Sequence, residues 1–234
     1  MRAAAVDCVE PHSCSRAVVQ ACSRALVHHN RTLTTGAYAR GEASAPSRVP
    51  SKTVTDASDK VRDLLRTRQT REFTDEPVDE GELTALADVA RWSGSSANTQ
   101  PWRFIVIQEE ATLRKIADAG MPQTRSLRSA MAAIAIAMSE EQGKAVSHAY
   151  DEGRAAERML VGATMLGLGA GVAWVLAPAR ETVNELLHVP GEWRVRTIVA
   201  LGHPSEAGRK PKSAPGKARL PRDEIVFPDR WPDG

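Results

Sequence analysis

Two polar clusters between residues 66 and 104 have side chains suited to a charged heteroaromatic ligand. The first cluster is cationic and consists of Arg66, Arg68 and Arg71. The second carries hydroxyl and amide groups and consists of Ser95, Ser96, Asn98 and Gln100. Guanidinium groups make paired, charge-assisted hydrogen bonds to phosphate, and amides meet both the donor and the acceptor edges of a ring. One phosphate-bearing aromatic ligand would satisfy both clusters.

Each cluster also has a purely structural interpretation. Arg68 and Arg71 would belong to a solvated surface if Glu72 and Asp75 paired with them. The hydroxyls and amides would be ordinary loop residues if they satisfied their own backbone. Two amides and two hydroxyls between a capped helix and an apolar strand exceed what a connector needs, which favours ligand binding.

Alternating helices and strands are predicted to position these clusters. A helix is predicted over 56–65, and a second helix has an N-terminal capping box at Asp79 and Glu82 with a hydrophobic staple of Val78 and Leu83. The remaining predicted helices cover 109–119 and 150–168, and the predicted strands cover 102–107, 130–138, 172–176 and 193–202. This order predicts an α+β fold without internal repeats.

Three glycines, Gly167, Gly169 and Gly171, follow the longest predicted helix. A dinucleotide-binding interpretation fails because Val172 stands where the third glycine of that motif belongs and because the glycines follow a helix instead of a strand. The favoured interpretation is a helix C-cap and a close approach of two backbone segments.

Length and composition exclude several classes of protein. The 234 residues contain no apolar run long enough to span a membrane. Their number and ordinary composition predict one sizeable globular domain over 56–234. Residues 1–53 hold seven Lys or Arg against three Asp or Glu, which leaves the remainder slightly acidic. The remainder therefore lacks the basic surface that nucleic acid requires. Residues 1–55 are interpreted as a disordered extension, as a transit peptide or as a mis-annotated start.

The sequence does not predict a metal site or a side-chain nucleophile. The three cysteines, Cys8, Cys14 and Cys22, match no zinc spacing, and residues 56–234 lack cysteine, which suits a reducing cytoplasm. A hydrolase triad of Ser147, His148 and Asp151 is disfavoured without a nucleophile-elbow sequence. The acidic residues near it, Glu140, Glu141, Asp151 and Glu152, are expected to be solvated.

The cationic segment ending in Arg71-Glu-Phe73, the helix after it and the loop Ser95-Ser-Ala-Asn-Thr-Gln-Pro-Trp102 resemble the FMN-dependent nitroreductase family. The resemblance extends from near Val61 to the C-terminus. It implies an α/β sandwich with a mixed, mainly antiparallel sheet flanked by helices. It also implies a homodimer with the flavin at the interface and a C-terminal extension that wraps the partner subunit.

The resemblance assigns FMN binding to residues from several segments: Arg68, Gln69, Arg71, Ser95, Ser96, Asn98, Gln100, Gly167, Leu168, Gly169, Lys217 and Arg219. No side chain is assigned a catalytic role, because the flavin carries the chemistry. Two positions depart from the family pattern, since Gln69 replaces a phosphate-binding serine and Gly94 replaces a proline.

The implied function is an FMN-dependent oxidoreductase that takes hydride from NAD(P)H onto flavin N5 and reduces a nitroaromatic, quinone or related acceptor by a ping-pong mechanism. The acceptor pocket is expected between Gly120 and Tyr150, near Met121 and Trp174. The alternatives are a protein that sequesters FMN without turnover and a specialised reaction such as reductive dehalogenation. The expected partners are a small-molecule acceptor and a second copy of the chain, without nucleic acid or membrane.

Overall fold

The computed structural model describes residues 54–214, 216–217 and 219–232. The strands in these residues are β1 (Trp102–Ile107), β2 (Ala132–Ser139), β3 (Gly169–Trp174) and β4 (Trp193–Gly202). The α-helices are α1 (Val54–Lys60), α2 (Arg62–Arg66), α3 (Glu80–Arg91), α4 (Glu110–Ala119), α5 (Ala145–Met165), α6 (Arg180–Leu186) and α7 (Glu206–Arg209). The predicted extension and its three cysteines lie outside the described residues, except that Val54 and Thr55 begin α1.

The four strands form one sheet in the order β1-β2-β4-β3, and each neighbouring pair is antiparallel. The predicted α+β class is therefore confirmed. Among the described residues, the parallel component expected of a mixed sheet is limited to an isolated bridge between Gln69 and Ala170. Strands β2 and β4 are central, and β2 is buried along nearly its whole length, from Ala132 to Met138.

Alternation along β2 builds two hydrophobic cores, because successive side chains of a strand point to opposite faces. Ile134 and Ile136 pack with residues of α3 and α5 on one face. Ala133 and Ala135 pack with residues of α4 and α6 on the other. The sheet is thus covered by helices on both faces. Within the described ranges, no helix combines the length and the apolar character needed to cross a lipid bilayer.

Helix α3 begins as the sequence predicts. The Asp79 carboxylate accepts a hydrogen bond from Gly81 N at 2.7 Å, and the Glu82 carboxylate accepts one from Asp79 N at 3.2 Å. Val78 and Leu83 are both buried in the core that α3 shares with α5. These contacts satisfy backbone donors that the first helical turn would otherwise leave unpaired. The helix therefore leads the chain from the cationic cluster to the amide cluster in a fixed direction.

Other predicted boundaries shift. The predicted helix 56–65 is interrupted at Val61, between α1 and α2, and α5 begins at Ala145, five residues before the predicted start. Strand β3 begins at Gly169, inside the segment predicted to cap the helix. The shift of β3 arises from tertiary contacts, because another segment of backbone pairs with these glycines. Strand β4 has the predicted bounds, Trp193–Gly202.

Candidate functional site

The segment that carries the cationic cluster is attached to the sheet through its main chain. Gln69 forms the bridge to Ala170, and Thr70 N donates to Ala170 O at 2.7 Å. Phe73 forms an antiparallel bridge with Pro204, just beyond the end of β4. Because these contacts are made by backbone atoms, they fix the segment's path whatever its side chains are.

Two glycines make this attachment possible. A Cβ at Gly171 would lie 2.0 Å from Thr70 O, and a Cβ at Gly208 would lie 2.2 Å from Glu72 O. Both distances are far below van der Waals contact, so any side chain would push the cationic segment off the sheet. The close backbone approach predicted from the glycine cluster is confirmed at Gly171.

The same cluster ends α5 in a Schellman motif. Gly167 has φ +79°, the left-handed conformation that glycine adopts at low cost. Its N–H donates to Thr164 O at 3.2 Å, and Leu168 N donates to Ala163 O at 2.8 Å. This is the predicted C-cap. It reverses the chain within three residues, so that α5 and β3 meet beside the cationic segment.

A cavity of about 400 Å³, here called the arginine cavity, opens beside this junction. Three guanidinium groups line it, from Arg66, Arg68 and Arg209. The other lining residues are Asp63, Thr70, Thr164, Leu168 and Pro204. With three cations against one carboxylate, the lining carries an excess of two positive charges and suits a dianionic ligand.

The ion pairs that would explain the cationic cluster structurally do not form. Glu72 instead approaches Lys212, at 3.6 Å between Oε1 and Nζ. Within the described ranges, no carboxylate oxygen lies within 4 Å of the Arg66, Arg68 or Arg71 guanidinium. The arginines of the cavity therefore keep donors available to a ligand.

The remaining predicted phosphate-binding residues occupy different places. The Gln69 side chain accepts a hydrogen bond from Val172 N at 2.9 Å, so its oxygen satisfies the edge strand β3. Arg71 is half-buried and does not line the arginine cavity. Lys217 and Arg219 are exposed and also lie outside its lining.

Sequence reasoning missed Arg209 because it lies in a Pro- and Lys-rich stretch without hydrophobic periodicity. The local signal was the N-cap residue Ser205, whose hydroxyl accepts from Gly208 N at 3.0 Å and begins α7. Arg209 Nε donates to Pro204 O at 3.1 Å. That bond holds the guanidinium at the arginine cavity.

The amide cluster forms the second half of the candidate site, here called the amide loop (residues 95–100). The Asp151 carboxylate, on α5 and 2% exposed, accepts from Ser96 N at 3.1 and 3.0 Å. Ser95 Oγ accepts from Gln100 N at 2.9 Å. The Ser95 hydroxyl therefore holds the loop itself, whereas Ser96 contributes its main-chain N–H and the Asn98 and Gln100 side chains remain exposed.

Backbone strain accompanies this arrangement. Ala97, Asn98 and Gln100 have φ of 48°, 55° and 49°, in the left-handed region that residues other than glycine seldom occupy. Such conformations cost free energy and persist only where surrounding contacts impose them, commonly at functional sites. Here the hydrogen bonds of Ser96 N to Asp151 and of Gln100 N to Ser95 Oγ anchor the segment that contains them.

The prediction that Asp151 and Glu152 are solvated is wrong. Both are buried, because they lie on the face of α5 that packs against the rest of the fold. Glu152 Oε2 accepts from Arg196 Nη2 at 2.9 Å, which ties α5 to β4. Asp151 is the functional residue of the amide loop that sequence reasoning missed. Its signal was its place three residues after His148 and four before Ala155 on the buried face of α5.

The disfavoured hydrolase triad is absent from this part of the chain. Ser147 Oγ donates to Lys144 O at 3.0 Å, and His148 Nδ1 lies 3.1 Å from Ser139 O. Asp151 is occupied by the amide loop. None of these three side chains contacts another in the way a nucleophile, base and orienting acid must.

A second cavity, of about 370 Å³, lies near the amide loop. Its polar lining includes Ser139, Glu140, Gln142, His148, Arg194 and Arg196. The hydrogen bond from Arg194 lowers the pKa of Glu140. The lining residues between Met138 and His148 fall within the segment expected to form the acceptor pocket, whereas Arg194 and Arg196 lie outside it. Met121, Tyr150 and Trp174, which were expected there too, are exposed and line neither cavity.

The arginine cavity and the amide loop lie at opposite ends of the sheet. The cationic segment pairs near the start of β3 and the end of β4. The amide loop precedes β1, and Pro101 O accepts from Ser139 N, which is paired with Trp193 at the start of β4. Because β4 has ten residues, these ends are about 30 Å apart.

Residues 64–144 match the sequence profile of the nitroreductase family. The chain carries a domain of the nitroreductase family. Two curated relatives are similar over most of their own length. An NADH dehydrogenase of Thermus thermophilus is 26% identical over 195 residues, which is 70% of this chain and 92% of that protein. A 5,6-dimethylbenzimidazole synthase of Rhodospirillum rubrum is 29% identical over 168 residues, which is 59% of this chain and 79% of that protein.

Solved structures show the same fold. An FMN-dependent nitroreductase of Clostridium difficile superposes with a TM-score of 0.63 at 23% identity, covering 72% of this chain and 98% of that one. Nitroreductase A of Vibrio parahaemolyticus superposes with a TM-score of 0.62 at 22% identity, covering 74% and 77%. These structures confirm the predicted α+β fold, and the predicted family agrees with the profile match.

Proposed function

We propose that this protein is an NAD(P)H-dependent oxidoreductase that uses FMN to reduce a small oxidised acceptor such as a nitroaromatic or a quinone. The observation that carries the proposal is the arginine cavity, in which Arg66, Arg68 and Arg209 line a space of about 400 Å³. The family match supports the redox class, and the donors named for its relatives, NADH and NAD(P)H, support the reductant.

The cavity fits the phosphate of FMN. A phosphate monoester carries between about 1.5 and 2 negative charges at neutral pH, close to the excess positive charge of the lining. Hydrogen bonds from charged donors contribute about 1.5 to 3 kcal/mol each, so the guanidinium groups together would dominate cofactor retention. Arg71 belongs to the same segment and shares its fixed backbone path.

The amide loop fits the ring and the ribityl chain. Asn98 and Gln100 present donors and acceptors to solvent from a backbone that Asp151 holds in one conformation. A flavin is shorter than the distance of about 30 Å between the two ends of the sheet. One flavin therefore contacts both clusters only if a second copy of the chain supplies the amide loop.

Exposed apolar side chains support a homodimer. Leu64 and Leu65 of α2 are 57% and 74% exposed, and Tyr150 of α5 is 73% exposed. Three further large apolar side chains are also exposed to solvent: Trp92, Val146 and Met165. Helix α2 contacts α5. Apolar surface of this extent marks an interaction site, and α5 connects the two halves of the site within each chain.

Bound FMN would supply the redox chemistry, since it accepts a hydride from NAD(P)H and passes the electrons to the acceptor. The residues of the chain bind and orient it. The arginines fix the phosphate, and the amide loop fixes the ring. The cavity near His148 and Arg196 adjoins the amide loop and would admit the acceptor. A cytoplasmic location remains a prediction from the lack of cysteine in residues 56–234.

The proposal is tested by adding FMN to the purified protein, desalting it and recording the visible spectrum before and after anaerobic addition of NADH or NADPH. We expect flavin to be retained and to bleach with one or both nucleotides. The Arg68→Ala/Arg71→Ala variant should retain less flavin, because it loses the cavity donor Arg68, worth about 1.5 to 3 kcal/mol, together with the neighbouring cation of the same segment.

The outcomes separate the alternatives. Retention without bleaching would favour a protein that sequesters FMN. A wild-type protein that retains no flavin would refute the proposal, and unchanged retention in the double variant would refute phosphate binding by Arg68 and Arg71. Lys210→Ala is the matched control, because Lys210 pairs with Glu206 at 2.9 Å on the surface and lies outside the cavity.

A further inference from the structure

We propose that Arg209 is a phosphate-binding residue of this chain, and that it takes the role left open by Gln69 at the phosphate end of the flavin site. The inference rests on the proposed FMN function and deepens it. It concerns a residue that lies outside the cationic cluster in sequence and joins it only through the fold.

The first observation is that Gln69 is engaged elsewhere. Its side-chain oxygen accepts from Val172 N at 2.9 Å, and its backbone forms the bridge to Ala170. That contact satisfies a donor of the edge strand β3, which a short hydroxyl at position 69 would not reach in the same way. Rotating Gln69 toward a phosphate would leave Val172 N without this partner.

The second observation is that Arg209 is held where a replacement donor is needed. Its Nε donates to Pro204 O at 3.1 Å, and both Arg209 and Pro204 line the arginine cavity. Within the residues that the structure describes, its two terminal nitrogens form no hydrogen bond or ion pair. A guanidinium anchored through Nε presents these two donors as a fork, the geometry that phosphate oxygens accept.

The third observation is that the backbone around Arg209 is built for this position. Ser205 caps α7, and Gly208 has no room for a side chain, since its Cβ would lie 2.2 Å from Glu72 O. The turn that carries Arg209 is therefore packed directly on the segment that carries Arg68. Both arginines line the same cavity.

The net charge of the arginine cavity also depends on Arg209. Without Arg209 the lining would hold Arg66 and Arg68 against Asp63, an excess of one positive charge. With Arg209 the excess is two, which matches a phosphate monoester dianion. Phosphate monoesters occur both in FMN and at the ribose of NADPH, and the observations favour FMN because Arg68 and Leu168, two predicted flavin-binding residues, line the same cavity.

The test compares FMN with riboflavin, which has the same ring and ribityl chain but lacks the phosphate. Binding is followed by quenching of flavin fluorescence on titration with wild-type protein, Arg209→Gln, Arg209→Lys and the surface control Lys210→Gln. We expect Arg209→Gln to weaken FMN binding by about 10- to 100-fold without changing riboflavin binding. Arg209→Lys should recover part of the loss, since it restores the charge but not the fork.

Equal weakening of FMN and riboflavin would overturn the inference, because it would indicate a structural role. Unchanged FMN binding in Arg209→Gln, with weak binding in Arg68→Ala/Arg71→Ala, would also overturn it while leaving the proposed function intact. A raised KM for NADPH but not NADH, without an effect on FMN, would assign the cavity to the nucleotide. If wild-type protein bound neither flavin, the proposed function itself would fail.

Discussion

The arginine cavity and the amide loop are positioned by different kinds of contact. At the arginine cavity, backbone pairs with backbone, and Gly171 and Gly208 supply the space. At the amide loop, one buried carboxylate, Asp151, holds a strained backbone through Ser96 N. The difference shows that a binding surface can be fixed either by the absence of side chains or by one particular side chain.

This contrast implies different sensitivities. The arginine end tolerates changes in the cationic side chains without movement of the backbone, but it cannot accept a methyl group at its glycines. The amide end accepts neighbouring changes but depends on one anion. Mixed dimers and variants at each end test this difference.

Mixed dimers provide the sharpest test that the two halves serve one site. We expect a chain with Arg68→Ala/Arg71→Ala and a chain with Asn98→Gly/Gln100→Gly each to lose almost all FMN as homodimers. Glycine is chosen because it keeps the positive φ of these positions accessible. Co-produced with different affinity tags, the mixed dimer should hold half the FMN of the wild-type dimer, because one of its sites combines two native halves.

Flavin content after two-step affinity purification gives the answer, with wild-type chains carrying the same two tags as the control. A mixed dimer with no more flavin than its parents would show that each chain builds its own site alone. The arginine cavity and the amide loop would then belong to unrelated sites.

The second prediction concerns a methyl group added beside the arginine cavity. Gly171→Ala should lower the free energy of unfolding by about 3 kcal/mol, because its Cβ would meet Thr70 O and neither backbone can yield without losing the bridge at Ala170. Urea unfolding followed by circular dichroism measures the change. Gly153→Ala is the control, since that position on the exposed side of α5 has open space, and we expect a gain of about 0.4 to 1 kcal/mol.

The third prediction concerns removal of the Asp151 carboxylate beneath the amide loop. Asp151→Ala should cost about 1 to 3 kcal/mol, because Ser96 N loses its acceptor. It should also weaken FMN and riboflavin equally, because both carry the ring, whereas variants at the arginine end should discriminate between them. Glu157→Ala, on the exposed face of α5, should change neither property. Loss of FMN alone in Asp151→Ala would contradict the division of roles.

Sequence predicted well those parts of the structure that depend on near neighbours. The capping box at Asp79 and Glu82 and the bounds of β4 follow from local pattern, and both are as predicted. The C-cap at Gly167 is likewise a local event. In each case the residues that decide the structure lie within a few positions of one another, so the pattern is complete in the sequence.

The parts that sequence did not predict depend on contacts between distant segments. Arg209 joins Arg68 only because Phe73 pairs with Pro204, and Asp151 is buried only because the amide loop folds over it. The separation of the two clusters was also missed, because a helix of twelve residues between them leaves no sign in the sequence of which end of the sheet each cluster reaches. Such contacts between distant segments can be identified only from the folded structure.

The main-chain attachment at Gly171 has an evolutionary consequence. Since the segment is held by its backbone and by the side chains of Gln69 and Phe73, mutations of its arginines can accumulate and alter charge without disturbing the scaffold. A duplicated copy of this gene would keep its pocket while its arginines drifted toward another ligand. The glycines would then record descent, and the residues between them would record specialisation.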